Sequence, residues 1–593
     1  MSVVSSRSTA TTISSILKGK TASSNVPSSR NRVTFQLPKN LKNILLNYQS
    51  PIERKSYENL ISTLRDANIK DNEFVELLQE VRPCISLLGN DHKFLVNALV
   101  KINWTDRGEE ATDAYKAFLE DLVCVHSYHC KLVIDQLICL FKVSDEDKEW
   151  EDGKPGEQDI IKLNHVHNVI FKFLKIVPMS STILVQSLRT HYPYYKKSAH
   201  SHQVYMYFSL QIIEYAPQLR SEIISTIIEK LTILDVNVPR TEIENYREKD
   251  EDEDEEVFKI DSVKETDKAD SDHPLAHTLD ICMDILMIYV EEYCHPDGDL
   301  NQDNLKKIYF ELLQPFEKVV LHTHASHHVQ FIMFYICSFK TAVAEAFLNW
   351  LWQKVSNPNV APIIRQSAVS YIASLLARGN FIPITLITGL LQDMTNWIHS
   401  YIAAQDSLES GNSDVRAHTV FYSVCQAVFY IVGFRSRELV STRKNLLFLQ
   451  GLNFTKIISC RLNPLRVCLP VVVQHFAAVT RTYQLAYCYS IMEHNSRSNL
   501  PVLQTTNRFV KWLDTFFPFD PYVLIRSSQK IDPIYLHYQG SNVDLNPSLS
   551  TTDSNDQEND EDDDFMDVSY PQDSLNYHRD KFSYSSSPGF IHA

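Results

Sequence analysis

The sequence predicts an all-α protein: a HEAT-repeat-like α-solenoid of antiparallel helix pairs, with a disordered acidic loop and disordered tails. Three observations lead there. Apolar residues recur every three to four positions, the period of one helical face, in segment after segment. Glycine is scarce, 13 residues against 24 prolines, which argues against sheets joined by tight turns and against Gly-rich nucleotide loops. Between Val319 and Leu391, four apolar segments follow one another across short breaks. Each is too apolar to stand alone and needs neighbours on two sides, as in stacked helix pairs.

Five regions follow in chain order. Residues 1–36 form a Ser/Thr-rich basic arm with too little apolar surface to order itself. Residues 37–235 are helical repeats. Phe74, Leu77, Leu78 and Val81 make a stripe stopped by Pro83, and Tyr115, Phe118, Leu119 and Leu122 make another. The series runs on to Ile223, Ile227, Ile228 and Leu231. Residues 236–273 are an acidic insertion, where like charges repel and oppose order. Residues 274–540 are a second set of repeats. Here Phe331, Phe334 and Tyr335 share a face, and Pro358 and Pro362 end one helix and start the next. Gly379 sits at a C-cap-like position, a fourth helix covers 382–404, and single helices cover 417–434 and 469–492. Phe516, Phe517 and Phe519, in the run FVKWLDTFFPFDPYVLIR, need covering; the run either caps the stack or is an exposed aromatic dock. Residues 541–593 are an acidic, Ser-rich tail.

The net charge is −16. Asp250–Glu256 holds seven acids and Asp553–Asp567 nine, with no base in either, so the remainder is formally neutral. Such a body does not bind nucleic acid by charge alone. The 11 cysteines are scattered without a CxxC pair and read as buried thiols of a reducing compartment. The start lacks the apolar core of a signal peptide, and Phe421–Phe434 is shorter than the roughly 20 residues of a membrane span. A nuclear or cytosolic protein without membrane contact is expected.

Motifs of chemistry are sparse. His324 and His328 have the i, i+4 spacing of a metal pair beside His322 and His327, but no acid lies within a turn, so surface histidines are the expected account. No P-loop, dinucleotide fingerprint, HExxH or GxSxG occurs. No catalytic residue, metal or cofactor is expected, and the protein is read as a non-enzyme. Arg365, Arg378, Arg435, Arg437, Arg443 and Lys444 are candidates for phosphate contacts within a larger complex, so DNA contact is secondary at most. The turns around Ser127, Tyr128 and His129, and around His191, Lys196, Lys197, Ser198, Ser201 and His202, look exposed.

Three segments carry a family resemblance. They are His328–Phe381, with VQFIMFYICSFK and RQSAVSYIASLLAR; Asn463–Asn495, with NPLRVCLPVVVQHFAAVTRTYQLAYCYSIMEHN; and Leu513–Leu524, with LDTFFPFDPYVL. With the helical N-terminal half they cover roughly residues 37–540, and they resemble the RNA polymerase I-specific transcription initiation factor family of the TIF-IA type. The resemblance implies a nuclear and nucleolar HEAT-repeat factor. Such a factor binds RNA polymerase I on its stalk side and bridges it to the promoter-bound initiation factor at rDNA, under the control of kinases and phosphatases. It further implies a serine-containing polymerase-binding patch, for which Ser127, Lys196, Lys197, Ser198 and Ser201 are the candidates, and a promoter-factor contact at Leu375, Leu376, Ala377 and Arg378. Asn380 stands where a base is expected, which weakens an electrostatic role for that corner. Ser587, followed by Pro588, is the candidate phosphorylation site. As turn residues, Ser198 and Ser201 are expected to tolerate aspartate without loss of fold. The competing reading is another helical-repeat adaptor such as a nuclear-transport receptor, though those are longer and acidic along the inner face. The oligomeric state stays open, a dimer of the free protein included.

Overall fold

Helices begin and end where local chemistry places them. The computed structural model describes residues 40–66, 69–142, 150, 155–239, 274–324, 326–407, 415–498, 513, 517–519 and 521–538. The arm 1–36, nearly all of the acidic insertion, Phe516, the tail 541–593 and Ser587 lie outside these residues.

The chain divides into two units, Met1–His129 and Cys130–Ala593. The division falls inside the run that the sequence presents as one helical series. The first unit holds α1 (Leu41–Leu46), α2 (Pro51–Asp66), α3 (Asp71–Val81), α4 (Lys93–Val100) and α5 (Glu109–Val125). α3 packs on α5, and α2 on α4. The second unit opens with α6 (Cys130–Cys139), α7 (Glu157–Ile176), α8 (Ser180–His191), α9 (Ala199–Tyr215) and α10 (Arg220–Asn237). It resumes beyond the acidic insertion with α11 (Leu275–Cys294), α12 (Gln302–Lys318), α13 (Phe331–Ser338), α14 (Thr341–Ser356), α15 (Pro362–Arg378) and α16 (Ile384–Asp406). α17 (Thr419–Phe434) follows, then five shorter helices: α18 (Ser436–Leu439), α19 (Arg443–Gly451), α20 (Phe454–Ile458), α21 (Pro464–Val467) and α22 (Pro470–Thr482). α23 (Tyr489–Ser498) and α24 (Ser528–Ile531) complete it. Among the described residues there is no β-strand, only an isolated antiparallel bridge between Gly379 and Tyr535. The protein is all-α, of the solenoid type.

One packing device recurs where no fixed repeat is visible in sequence. Tyr115, the seventh residue of α5, donates its hydroxyl to Leu99 O at 2.9 Å, near the end of α4. Tyr205, the seventh residue of α9, donates to Leu188 O at 2.7 Å, near the end of α8. In each hairpin a buried tyrosine donates to a carbonyl in the last turn of the preceding helix.

Helix limits depart from the sequence reading in three places. The expected helix 469–492 is two, α22 and α23, broken where Gln484 adopts a left-handed φ of 52°. The helical run 415–434 is 20 residues, long and apolar enough to cross a membrane, so Phe421–Phe434 understated it. Most of that run is buried, with α17 packed against α15, α16 and α22. Gly379 does follow α15, but at φ −76°, not in the left-handed region. Its small size is what matters: a Cβ there would stand 3.0 Å from Ile382 Cγ1 and 3.1 Å from Leu375 O and Phe381 Cζ.

The acidic insertion does not separate domains. α10, before it, packs on α11 and α12, after it. Arg220 of α10 donates to both Glu311 oxygens, at 2.6 and 3.1 Å, and lies over the Tyr293 ring. Asp235, near the end of α10, accepts the backbone N–H groups of His327 and His328 at 2.9 Å and of Val329 at 3.1 Å. His328 Nδ1 is 2.9 Å from its other oxygen and, facing a carboxylate, carries the proton.

A second buried carboxylate seats the chain's last described segment. Residues 517–519 and 521–538 form a strap. Asp280 of α11 accepts the N–H groups of Ile525 (3.0 Å), Arg526 (2.8 Å) and Ser527 (2.8 Å), and the Ser527 hydroxyl at 2.5 Å. Down the same helix, Asp284 pairs with Arg526 at 2.6 Å and Glu291 with Lys530 at 2.5 Å. Phe519 N–H donates to Ser374 Oγ at 2.8 Å, and Gln330 Nε2 donates to Pro518 O at 2.7 Å. Phe517, Phe519 and Tyr522 are buried against Tyr430, Phe331, Phe334 and Tyr371. Each phenylalanine so buried contributes about 1.5–3 kcal/mol. The PFDPY run is therefore a cap on the stack.

Two predictions test these anchors. Asp280→Ala orphans three backbone donors at about 1–3 kcal/mol each. It is expected to lower the melting temperature and to speed amide exchange at Ile525–Ser527 and Leu536; unchanged exchange there would show that the strap is held by its rings alone. For Asp235, burial pushes the pKa up, but the His328 charge and hydrogen bonds and the backbone N–H groups outweigh it and hold the carboxyl below the ordinary 3.8. A depressed folded-state pKa adds stability that is complete above the unfolded value and lost as pH falls through the folded value. Asp235→Asn is therefore expected to be less stable than the parent at pH 7, the gap narrowing as pH falls below 3.8. Urea unfolding across that range reads it, and a constant gap would reject it.

Candidate protein-docking surface

The predicted patch residues sit on two turns, one in each unit. Ser127 and Tyr128 are exposed in the 3₁₀ turn that follows α5. His129, in the same turn, is buried, with Nε2 3.0 Å from Leu88 O. Burial holds its pKa below the ordinary histidine value, so the ring is neutral and structural. In the second unit, the backbone between α8 and α9 closes a turn, with Lys197 N–H on Tyr194 O at 2.8 Å. Lys196 and Lys197 are exposed on it.

Ser198 and Ser201 are not turn-surface residues. Each is 5% exposed. Ser198 is the N-cap of α9: its Oγ accepts Ser201 N–H at 3.2 Å and lies 3.1 Å from Ser201 Oγ. The motif KKSAHS reads as a solvated turn, but the serine at its centre starts a helix whose first turn faces the core. A side chain that the sequence reading missed is Tyr194, 61% exposed and 4.5 Å from the Tyr195 ring. The signal was the YPYYKK run, aromatics directly before bases at a proline turn. Exposed tyrosine beside bases suits a docking surface, where Tyr is enriched.

The predicted promoter-factor contact is corrected more fully. Leu375, Leu376 and Ala377 are wholly buried and Arg378 is 1% exposed. The Arg378 guanidinium lies 4.8 Å from the Phe434 ring centre and 5.3 Å from that of Tyr535. The strap covers this corner. Leu536 N–H donates to Arg378 O at 2.6 Å, and Asn380 N and Nδ2 donate to Ile534 O at 3.1 Å and Pro533 O at 2.8 Å. Arg435, expected on a phosphate-binding loop, is also buried. It donates to Leu376 O at 2.9 Å and to Gly379 O, closing the end of α15, and pairs with Glu438 at 2.5 Å. Arg365 is half-buried and donates to Val355 O at 2.7 Å. Arg437, Arg443 and Lys444 remain exposed.

No group of three metal-ligating side chains occurs among the described residues. The acid that pairs with His328 is Asp235, 93 residues away, and His322 Nδ1 faces Glu317 O at 2.8 Å. A cavity of about 320 Å³ lies between His322, Ile363, Tyr371, Gln426 and Phe517, and among the described residues no acid, lysine or cysteine lines it. Eight of the eleven cysteines are buried, whereas Cys124 is exposed. Burial raises the pKa of the buried thiols, Cys282 to about 12.

Stacked helix hairpins and buried, hydrogen-bonded histidines define a helical-repeat scaffold. The comparisons agree on its family. The family model described as "RNA polymerase I specific transcription initiation factor RRN3" matches residues 39–543. A Mus musculus protein named RNA polymerase I-specific transcription initiation factor RRN3 is 38% identical over 564 residues, covering 89% of this chain and 85% of its own. The Schizosaccharomyces pombe protein of the corresponding name is 27% identical over 497 residues, covering 78% and 79%. A crystal structure of RNA polymerase I transcription initiation factor Rrn3 superposes with a TM-score of 0.64 at 21% identity, over 84% of this chain and 97% of that one, and so shares the fold. This chain belongs to the RNA polymerase I-specific transcription initiation factor family.

The cap at Ser198 yields a prediction. Ser198→Ala is expected to cost about 1 kcal/mol through loss of the N-cap, read as a lower melting temperature. Lys196→Glu with Lys197→Glu, on exposed turn positions, is expected to leave melting within the spread of ordinary surface substitutions. Equal losses from both would show the turn to be part of the core.

Proposed function

We propose that this protein binds RNA polymerase I and bridges it to the promoter-bound initiation factor at ribosomal RNA genes, in the nucleus and nucleolus, with phosphorylation tuning the polymerase contact. The observation that carries the reading is the family match across residues 39–543, nearly the whole helical body. A stack of helix pairs suits the task, because its separate faces can take different partners.

The exposed candidates for the polymerase contact are Ser127 in the first unit and, taken separately, Tyr194, Lys196 and Lys197 in the second. Ser127 is the modification candidate among the predicted serines, since a kinase reaches an exposed hydroxyl. A phosphate there adds roughly −1.5 to −2 charge and opposes docking on an acidic surface. The buried Ser198 and Ser201 would first need the start of α9 to open. The promoter-factor side is moved outward, from Leu375–Arg378 to the strap that covers them.

Full-length chain with Lys196→Glu and Lys197→Glu is expected to retain about a tenth or less of its co-purifying polymerase I, the loss of a central interface pair, with unchanged melting. Ser127→Asp is expected to act in the same direction. Undiminished co-purification of both variants removes these turns from the contact. Recovery of a Ran-type GTPase in place of polymerase would return the transport-receptor reading.

A further inference from the structure

The acidic chain has a basic stretch. Residues 415–498, all of them described, contain ten Lys and Arg but two acids, Glu438 and Glu493. Both acids are engaged locally, Glu438 with Arg435 at 2.5 Å and Glu493 with Arg497 at 2.5 Å. Arg443, Lys444, Lys456, Arg461, Arg466 and Arg481 are exposed and make no ion pair among the described residues. They ride on consecutive short helices and turns, α19 to α22, a stretch that carries no acid. The neighbouring α16 contributes only Asp393 and Asp406. Six exposed bases in a stretch without an acid, on a protein whose net charge is −16, suit a polyanionic occupant, although Asp406 of α16 lies near Cys460 beside Arg461.

The structure delivers one to it. The strap ends against this block: Tyr538 hydroxyl lies 3.3 Å from His475 Nδ1 of α22, and the Tyr538 ring is 5.3 Å from that of Phe434. Fifteen residues further on begins Asp553–Asp567, nine acids without a base. Fifteen residues span at most about 50 Å even when fully extended. The run is thus tethered to the basic block at a high effective concentration, in the mM range for short linkers. The other acidic run, Asp250–Glu256, follows α10 and precedes α11, neither of which leads to this block.

We propose that the acidic stretch 553–567 of this same chain docks on the basic surface of residues 443–481 and masks it from other polyanions. The contact is electrostatic and sequence-tolerant, and is screened over about 8 Å at physiological salt. It does not rest on the polymerase reading.

The test uses the full chain and a zero-length carbodiimide reagent, which joins carboxylates to amines in direct contact. Lys444 and Lys456 are the amines within the surface. Cross-links from either to carboxylates of 553–567 are expected at about 50 mM salt and are expected to fall severalfold by about 200 mM. In a mixture of isotopically light and heavy chains they are expected within one chain only. A full-length variant with the acids of 553–567 changed to Asn and Gln is expected to bind a heparin fragment about tenfold more tightly, the tethered competitor having been removed. Three results would each overturn the proposal: cross-links chiefly to lysines outside the block or none at all, mixed light–heavy pairs that make a second copy the occupant, or an unchanged heparin affinity.

Discussion

Two buried carboxylates hold this structure together across long stretches of chain. Asp235 and Asp280 each take three backbone N–H groups and one side-chain donor, from segments about 93 and 246 residues away. A carboxylate buried alone is costly enough to neutralise itself instead. Four donors aimed at it offset that cost, and the same bonds satisfy N–H groups of irregular backbone that lie where no helix or sheet could take them. Each anchor therefore works in both directions: the loop makes the charge tolerable, and the charge makes the loop buriable.

The two anchors explain why the acidic insertion leaves the second unit whole. Asp235 lies near the end of the helix before it, and Asp280 in the second turn of the helix after it. The first binds the entry to α13 and the second binds the strap, and both segments meet in one aromatic cluster around Phe331 and Tyr522. Loop length adds slowly to the cost of closure, so a long insertion between α10 and α11 is tolerated while the helices on either side pack together.

The strap also decides which residues can meet a partner. By covering the end of α15 it turns Arg378 and Arg435 into interior groups that satisfy carbonyls and lie on rings. Exposed polar and aromatic residues on turns and short helices include the tyrosine and lysines between α8 and α9, Ser127 after α5, and the bases of α19 to α22.

The helical class, the apolar stripes and the family were legible in the sequence, because helix formation is local and its 3.6-residue period writes itself into neighbouring side chains. Phe74, Leu77, Leu78 and Val81 were readable as one face from four letters, and Pro362 as a helix start from one. The site was less legible. Ser198 reads as a polar turn residue and is a buried cap, Leu375–Arg378 reads as a helix end open to solvent and is roofed by residues more than 150 positions later, and His328 lacks a nearby acid only along the chain. Exposure and pairing depend on what arrives from elsewhere. Distant segments meet through the sum of many weak contacts, and no short window of sequence records that sum.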